Sequence, residues 1–334
     1  MITKIKKAIQ YFRVRLYELK ICFFEFKRGS KLKSDAYESF FKNGMLVEVH
    51  SVEKGLGLKN TQPGHSSKPV NNLINKMFSY MGRGYDVNDF AFRETFRVIS
   101  AYIEYQKQFD TSSFPEFPEI ERKFNFLKGK LGEEFVSKTE ETLLAGSRII
   151  SKEELLKGKD FDFGSFISSR HSIRMYEDKP INAHDIKKAV EIANQSPSAC
   201  NRQPTMVYFS NNKKVVEQID KLITGSNGFK GETPNYLVVT TDRAKFMQEE
   251  QFQWYINGGI YLSYLTLALH SLGIGSCIMQ WKAFYKTEKE LKALLGISAH
   301  EAIIAIVGCG YYQDDTKCIY AQRKAAEETL QIVG

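Results

Sequence analysis

From Gln251 to Trp281 the chain carries no Asp, Glu, Lys or Arg, although 26% of its residues are charged. A helix that is apolar on every side must be buried on every side. A membrane span needs about 20 predominantly apolar residues, and Asn257, Ser263, Thr266, His270 and Ser271 interrupt this run on several faces. The stretch therefore reads as a buried helix at the centre of a domain or a dimer. Gly258 and Gly259 each cost a helix about 1 kcal/mol relative to alanine, but let a second helix approach closely. Gly273 and Gly275 are expected to end it in the manner of left-handed caps. The short β-prone segment Ser276 to Met279 follows.

With 334 residues, 43% hydrophobic and 13% aromatic, the chain can fill the cores of two domains. Its five cysteines (Cys22, Cys200, Cys277, Cys309, Cys318) include no C-x-x-C pair. Neither a disulfide framework nor a metal site is expected, and a reducing, cytoplasmic compartment fits. Ten of the 47 Lys/Arg and two of the 39 Asp/Glu fall in residues 1–33, so the whole net charge of +8 sits at one end. The body of the chain is neutral and lacks the concentrated basic face of a nucleic-acid groove. Charged residues also interrupt any apolar core of signal-peptide type near the start.

Ile2, Ile5, Ile9, Phe12, Leu16, Leu19, Phe23 and Phe26 recur at alternating spacings of three and four. This predicts a basic amphipathic helix within residues 1–33. Such a stripe can pack on its own protein, pair with another helix, or lie peripherally on an anionic surface such as the inner membrane face. The pattern stays helical to about Lys159, most clearly from Asp89 to Phe109. His50 to Leu58, followed by Thr61 to His65, reads as a turn-rich connector, and Ser112 to Pro118 as another. Ser151 to Phe161 reads as a boundary, which divides the chain into an all-helical region, 1–160, and a second unit, 161–334.

In the second unit the pattern mixes α and β. Asn182 can cap a helix running to Asn194 with Ile186, Ala189, Val190 and Ala193 inward. Strands are expected at Thr205 to Ser210, Tyr236 to Thr241 and Ala302 to Gly308, and Thr287 to Glu290 reads as a capping box for a helix closing at Gly296. Strands separated by helices make a layered α/β or α+β domain.

Three segments here carry chemistry. Arg170-His-Ser-Ile-Arg174 places two guanidiniums and a hydroxyl together, which suits a phosphate dianion; taken alone it also fits a solvated basic turn. Pro197-Ser-Ala-Cys-Asn-Arg-Gln-Pro204 presents Asn201 and Gln203, each both donor and acceptor, as a heterocycle edge requires. It equally fits a turn whose amides satisfy its own backbone. Arg323-Lys324 can add positive charge to a phosphate or be a solvated run.

Together the segments resemble the nitroreductase family of FMN-dependent oxidoreductases in order and spacing. Arg170 to Arg174, Pro197 to Pro204, Leu267 to Cys277, Leu294 to Ile297, Ala305 to Tyr311 and Arg323 to Glu328 are similar to that family's successive motifs, over about half the chain. The resemblance implies an α+β fold, with a mixed sheet flanked by helices around a long buried central helix, plus the N-terminal all-α region. It implies a homodimer and a cofactor, FMN, held as follows. Arg170, Ser172, Arg174 and Arg323 would hold the phosphate, and His171 would lie beside the ring. Pro197, Ser198, Asn201 and Gln203 would reach the flavin of the partner subunit, backbone groups around Met279, Gln280 and Trp281 would face flavin N5, and Asn227 and Lys230 would meet the pyrimidine edge. Ile278, Gln280 and Trp281 depart from the residues of many relatives, so the pocket over the flavin is expected to be reshaped.

The implied activity is NAD(P)H oxidation by a ping-pong route, with a nitroaromatic, quinone or similar acceptor as second substrate. The flavin carries the chemistry, so no protein residue is assigned a catalytic role. Gly273-Ile-Gly275 lacks the third glycine of a dinucleotide fingerprint, so NAD(P)H has no dedicated domain. The rival reading is a non-catalytic or weakly catalytic flavoprotein whose flavin site is vestigial or structural, an assembly partner bound to a membrane or a synthase through its basic helix, in cell-surface polysaccharide synthesis.

Overall fold

The computed structural model describes residues 12, 16, 19, 20, 22, 23, 34–58, 61–140, 145, 161–226, 229–247, 249–281, 285–316, 318 and 323–334. Most of the basic segment 1–33, the expected boundary at 151–160 and Asn227 lie outside the described residues.

Helices α1 (Ser34–Leu56), α2 (Ser67–Gly82), α3 (Phe90–Gln106), α4 (Phe117–Leu131) and α5 (Glu133–Glu140) form the first half. Asp89 caps α3 by accepting from the Ala91 amide at 2.9 Å, and Phe92, Phe96, Ile99 and Ile103 of that helix are buried as the periodicity predicts. They join Met45, Val49 and Val52 of α1, Leu73, Ile74 and Met77 of α2, and Phe124 and Leu127 of α4 in one apolar core. The connector expected at His50 is instead the last two turns of α1. Val49, Val52 and Leu56 keep the helical spacing and are buried, and no proline interrupts them. The chain reverses only afterwards, where Thr61 donates to the Gly55 carbonyl at 2.7 Å.

Half-buried Glu53 of α1 has its carboxyl pushed up to about 7, first by burial and then by the Glu94 charge. A raised carboxyl pKa means that the folded protein keeps a proton which the unfolded chain releases above about pH 4.3. Stability is therefore lost as pH rises from there to about 7. Glu53→Gln is expected to flatten denaturation midpoints across that window and to stabilise the protein at pH 7.5 by about 1 kcal/mol, an amount reduced for the group's partial exposure. Parallel titration curves for the two proteins would contradict this.

The second half contains α6 (Phe163–Ser169), α7 (Ala183–Ala193), β1 (Thr205–Ser210), α8 (Lys213–Leu222), β2 (Asn235–Asp242), α9 (Gln253–Ser271), β3 (Ile274–Met279), α10 (Tyr285–Leu295) and β4 (Glu301–Tyr311). The four strands form a sheet in the order β1-β2-β4-β3, every neighbouring pair antiparallel. Its parallel component is a bridge between Ser172 and Ser276. Strand periodicity sends Leu237, Val239, Ala305 and Val307 to the face covered by α7 and α9, and Tyr236, Val238 and Ile306 to the face covered by α8 and α10. The architecture is α+β, and no helix among the described residues is long and apolar enough to cross a membrane.

Two local expectations shift. Asn182 does cap α7, accepting from the His184 amide at 2.9 Å, but α10 begins at Tyr285, so Thr287 lies inside it and is not its cap. Gly273 takes the left-handed conformation at φ 71, whereas Gly275 is a strand residue. A side chain at Gly275 would meet Ile173 at 2.9 Å, so its role is close approach.

Helix α9 is buried on one side only. Gly258 lies against the sheet, where a Cβ would fall 2.5 Å from Ile304, and Tyr261, Leu265 and Leu269 continue that face inward. Ile256 is 52% exposed and Tyr264 40%, and a Cβ at Gly259 would meet nothing within 4 Å. One uncharged face of this central helix is thus left open by the described residues.

Candidate functional site

The segment from Arg170 to Arg174 runs alongside β3. The Ile173 amide donates to the Ser276 carbonyl at 3.0 Å, and Tyr176 anchors the segment by donating to the carbonyls of Ile173 at 2.6 Å and Gly308 at 3.2 Å. Burying Ile173 between the partly exposed Arg170 and Arg174 and the exposed Ser172 leaves the polar side chains outward. Arg174 donates to the Ser172 carbonyl at 3.3 Å, a long bond, and its guanidinium stands 5.9 Å from the Phe229 ring centre. Neither Arg170 nor Arg174 has a carboxylate partner among the described residues.

The end of β3 completes this cluster. A Cβ on Gly225 would fall 2.3 Å from the Gln280 backbone nitrogen, so the loop after α8 touches the backbone of Met279 and Gln280. Met279 is buried, Gln280 is exposed, and Trp281 packs against the core beneath the sheet. Lys230 is exposed in the same loop. His171 is exposed, and Arg323 lies in the exposed C-terminal segment before Ala326–Glu328.

A contact that sequence reasoning passed over supports the cluster from behind. His270, at the end of α9, bonds Ser169 at 2.9 Å through Nε2 and Tyr312 at 2.8 Å through Nδ1, and stacks on Phe166 at 4.9 Å. Burial, then the Arg170 charge, lowers its pKa and keeps it neutral. Because the Ser169 hydroxyl donates to the Phe166 carbonyl at 2.9 Å, its proton is already engaged and this is no Ser-His nucleophile. The three residues fasten α6 and the chain after β4 to the central helix. Only the tertiary fold could reveal them, since Ser169 and His270 are 101 positions apart.

The turn from Pro197 to Pro204 lies elsewhere, beside the first half of α9. The Ala199 amide donates to Asn257 at 2.8 Å, and Ser198 accepts from the Gln203 amide at 3.0 Å. Asn201 and Gln203 are exposed and bonded to each other at 3.2 Å. From Asn257 to His270 an α-helix rises about 20 Å, so one chain does not bring this turn to the arginine cluster. Sequence reasoning also missed Arg202, which is completely buried. A cavity of about 210 Å³ near the turn, lined by Lys42, Met206, Asp242, Lys245 and Glu301, holds Pro204 alone of the motif residues. A site shared between two chains need not appear as a closed cavity in one.

A family model, described as the nitroreductase family, matches residues 167–251 and 223–311. A protein of Archaeoglobus fulgidus named as an NADH dehydrogenase/NAD(P)H nitroreductase is 30% identical over 155 residues, which span 84% of that protein and 45% of this chain. The chain belongs to the nitroreductase family. A second nitroreductase-named relative, of Methanothermobacter thermautotrophicus, is 26% identical over 148 residues, 74% of its length and 43% of this chain. Among solved structures, an FMN-dependent nitroreductase of Clostridium difficile aligns with 50% of this chain and 96% of its own, at 22% identity and a TM-score of 0.43. The nitroreductase match begins after α5, so the helical half of the chain lies outside it.

Proposed function

We propose that this nitroreductase-family chain is an FMN-dependent oxidoreductase that oxidises NAD(P)H and reduces a small acceptor such as a nitroaromatic or a quinone. The observation that carries the reading is the arginine cluster. Arg170 and Arg174 have no carboxylate partner among the described residues, and they stand beside a strand whose far end keeps backbone within touching distance of the Gly225 loop. These residues fit the cofactor. Arg170, Ser172 and Arg174 would hold its phosphate as charged, forked donors, with Arg323 adding positive charge. His171 and the backbone around Met279, Gln280 and Trp281 would border the ring, and Lys230, with Asn227 on the strength of the sequence resemblance, its pyrimidine edge. When bound, the flavin supplies hydride and electron transfer; the chain's own groups bind and orient it and exclude water. Purified protein is expected to be yellow, with flavin absorbance bleached anaerobically by NADH or NADPH. A colourless protein that gains nothing from added FMN would sink the reading.

A homodimer resolves the separation between turn and cluster. A two-fold axis across the middle of α9 would pair its open face with itself, antiparallel, and bring Pro197, Ser198, Asn201 and Gln203 of one chain towards the cluster of its partner. Gly259→Leu separates this from the alternatives, because a Cβ at this position meets none of the described residues of the single chain within 4 Å. Overpacking typically costs 1–3 kcal/mol. The variant should therefore stay folded, become monomeric by light scattering, and lose FMN; a monomer that retains FMN would contradict the shared site.

The apolar cluster of the first half is separate from the two that flank the sheet, which supports a division into units 1–160 and 161–334. The basic end is assigned to an anionic bilayer. Phe12, Leu16, Leu19 and Phe23 fall on one helical stripe and are exposed, and each nearby Lys or Arg adds about 1 kcal/mol at such a surface. Vesicles containing acidic lipid should co-sediment the full chain at low salt. Equal binding to neutral vesicles, or by a chain lacking residues 1–33, would contradict this.

A further inference from the structure

Within the turn that carries Asn201 and Gln203, side chains alternate outward, inward and outward, and the inward residue is an arginine. Arg202 is completely buried. Its Nε donates to the Ala199 carbonyl at 2.9 Å, and its Nη1 to the Lys245 carbonyl at 2.7 Å, to Glu250 at 2.7 Å and to Asn43 Oδ1 at 3.2 Å. Nη2 reaches the other oxygen of Glu250, and the guanidinium lies 4.7 Å from the Phe246 ring centre. Asn43 belongs to α1, in the half of the chain outside the nitroreductase match, and is itself 3% exposed.

The backbone around this arginine is held in an unfavourable state. Cys200, Asn201 and Gln203 have φ values of 49, 48 and 46, in the left-handed region that side chains disfavour and that persists only where surrounding structure over-determines it. Surrounding the turn are the Arg202 bonds and Lys245, which donates to the carbonyls of Arg202 and Gln203 at 3.4 and 3.2 Å. A guanidinium holds five N–H donors in a rigid planar fork and so fixes the three segments in one geometry, whereas a lysine ammonium has three donors on a flexible stem.

We propose that Arg202 is the positioning residue of this turn, and that its bond to Asn43 makes the N-terminal helices a working part of the cofactor site. The functional half of this inference rests on the FMN reading above. Arg202 does not touch the flavin. It acts by fixing the left-handed backbone that presents Asn201 and Gln203, and α1 supplies one of its acceptors.

The test uses the full chain with Asn43→Leu, which removes the acceptor with little change of volume, and Arg202→Lys, which keeps the charge and loses the fork. Amide hydrogen exchange of the flavin-free protein reads the clamp directly. Exchange across Ala199 to Gln203 is expected to rise about tenfold in Asn43→Leu and further in Arg202→Lys, while the β2 and β4 amides stay unchanged. FMN titration by fluorescence reads the consequence, an affinity about tenfold weaker in Asn43→Leu together with altered flavin absorption maxima. A general loss of structure would speed exchange in the sheet as well, and that result overturns the local role. Unchanged exchange in the turn overturns the clamp. Accelerated exchange with wild-type FMN affinity overturns the link to the cofactor, and a wild-type protein that binds no FMN overturns the cofactor reading itself, leaving the exchange result to judge the clamp.

Discussion

Gly310→Val is expected to lower the melting temperature by several degrees and to strip the cofactor from the protein that remains folded. A Cβ at position 310 would lie 2.6 Å from the Cβ of Tyr176 and 2.7 Å from its Cγ. The obstruction is at the root of the tyrosine, so no rotation of the ring relieves it and backbone must move. That backbone is tied on both sides, by the Glu177 amide on the Tyr311 carbonyl at 3.1 Å and by the Ile173 amide on the Ser276 carbonyl at 3.0 Å. Overpacking typically costs 1–3 kcal/mol, and lifting Tyr176 also removes the hydroxyl that serves the Ile173 and Gly308 carbonyls, each net bond being worth about 1 kcal/mol. A total of about 3–5 kcal/mol changes the folded-to-unfolded ratio by a hundredfold or more. The displaced segment is the one that carries Arg170 to Arg174, so FMN affinity should fall with stability. A thermal melt and an FMN titration that both match the wild type would show that the sheet accommodates the new side chain.

Arg174→Ala is expected to weaken FMN binding about 10- to 100-fold without lowering the melting temperature. A hydrogen bond to a charged group is worth about 1.5–3 kcal/mol, and 1.4 kcal/mol is tenfold in affinity. The side chain has little structural employment to lose: one long bond to the Ser172 carbonyl and a distant approach to Phe229. This separates it from Arg202, whose loss would take from the Glu250 carboxylate the largest influence holding its pKa down and leave it the Met247 amide. Arg174→Lys should recover only part of the affinity, since an ammonium lacks the fork that matches two phosphate oxygens. FMN titration of Arg174→Ala at wild-type affinity would remove this residue from the phosphate site.

Residue spacing alone located most of the local structure. Apolar residues three and four apart produced α3 and α7, and period-two or continuous apolar runs produced the strands beginning at Thr205, Asn235 and Glu301, because helix and strand formation depend on neighbours a few positions away. The motif segments were equally visible, since each is a short contiguous string whose chemistry does not depend on what packs beside it. Where a local signal could serve two structures, packing chose. His50 to Leu56 reads as turn-rich by composition but continues α1, because Val52 and Leu56 are buried in the helical core. Thr287 reads as a cap but sits inside α10, whose first turn begins earlier.

By itself the sequence determined the nitroreductase motifs, the neutral body with its basic end, and the uncharged helix that forms the centre of the second half. The tertiary structure decided which of the similar residues do which work. Arg170, Arg174 and Arg202 look alike in one dimension, yet among the described residues two have no carboxylate partner and the third is buried on Glu250 and Asn43. Burial and pairing depend on residues as much as 159 positions away, which no local pattern encodes. The same holds for α9. Its lack of charge says that both faces must be covered, but only the packing of Gly258 on the sheet and the open space at Gly259 say which face the described residues cover and which they leave open.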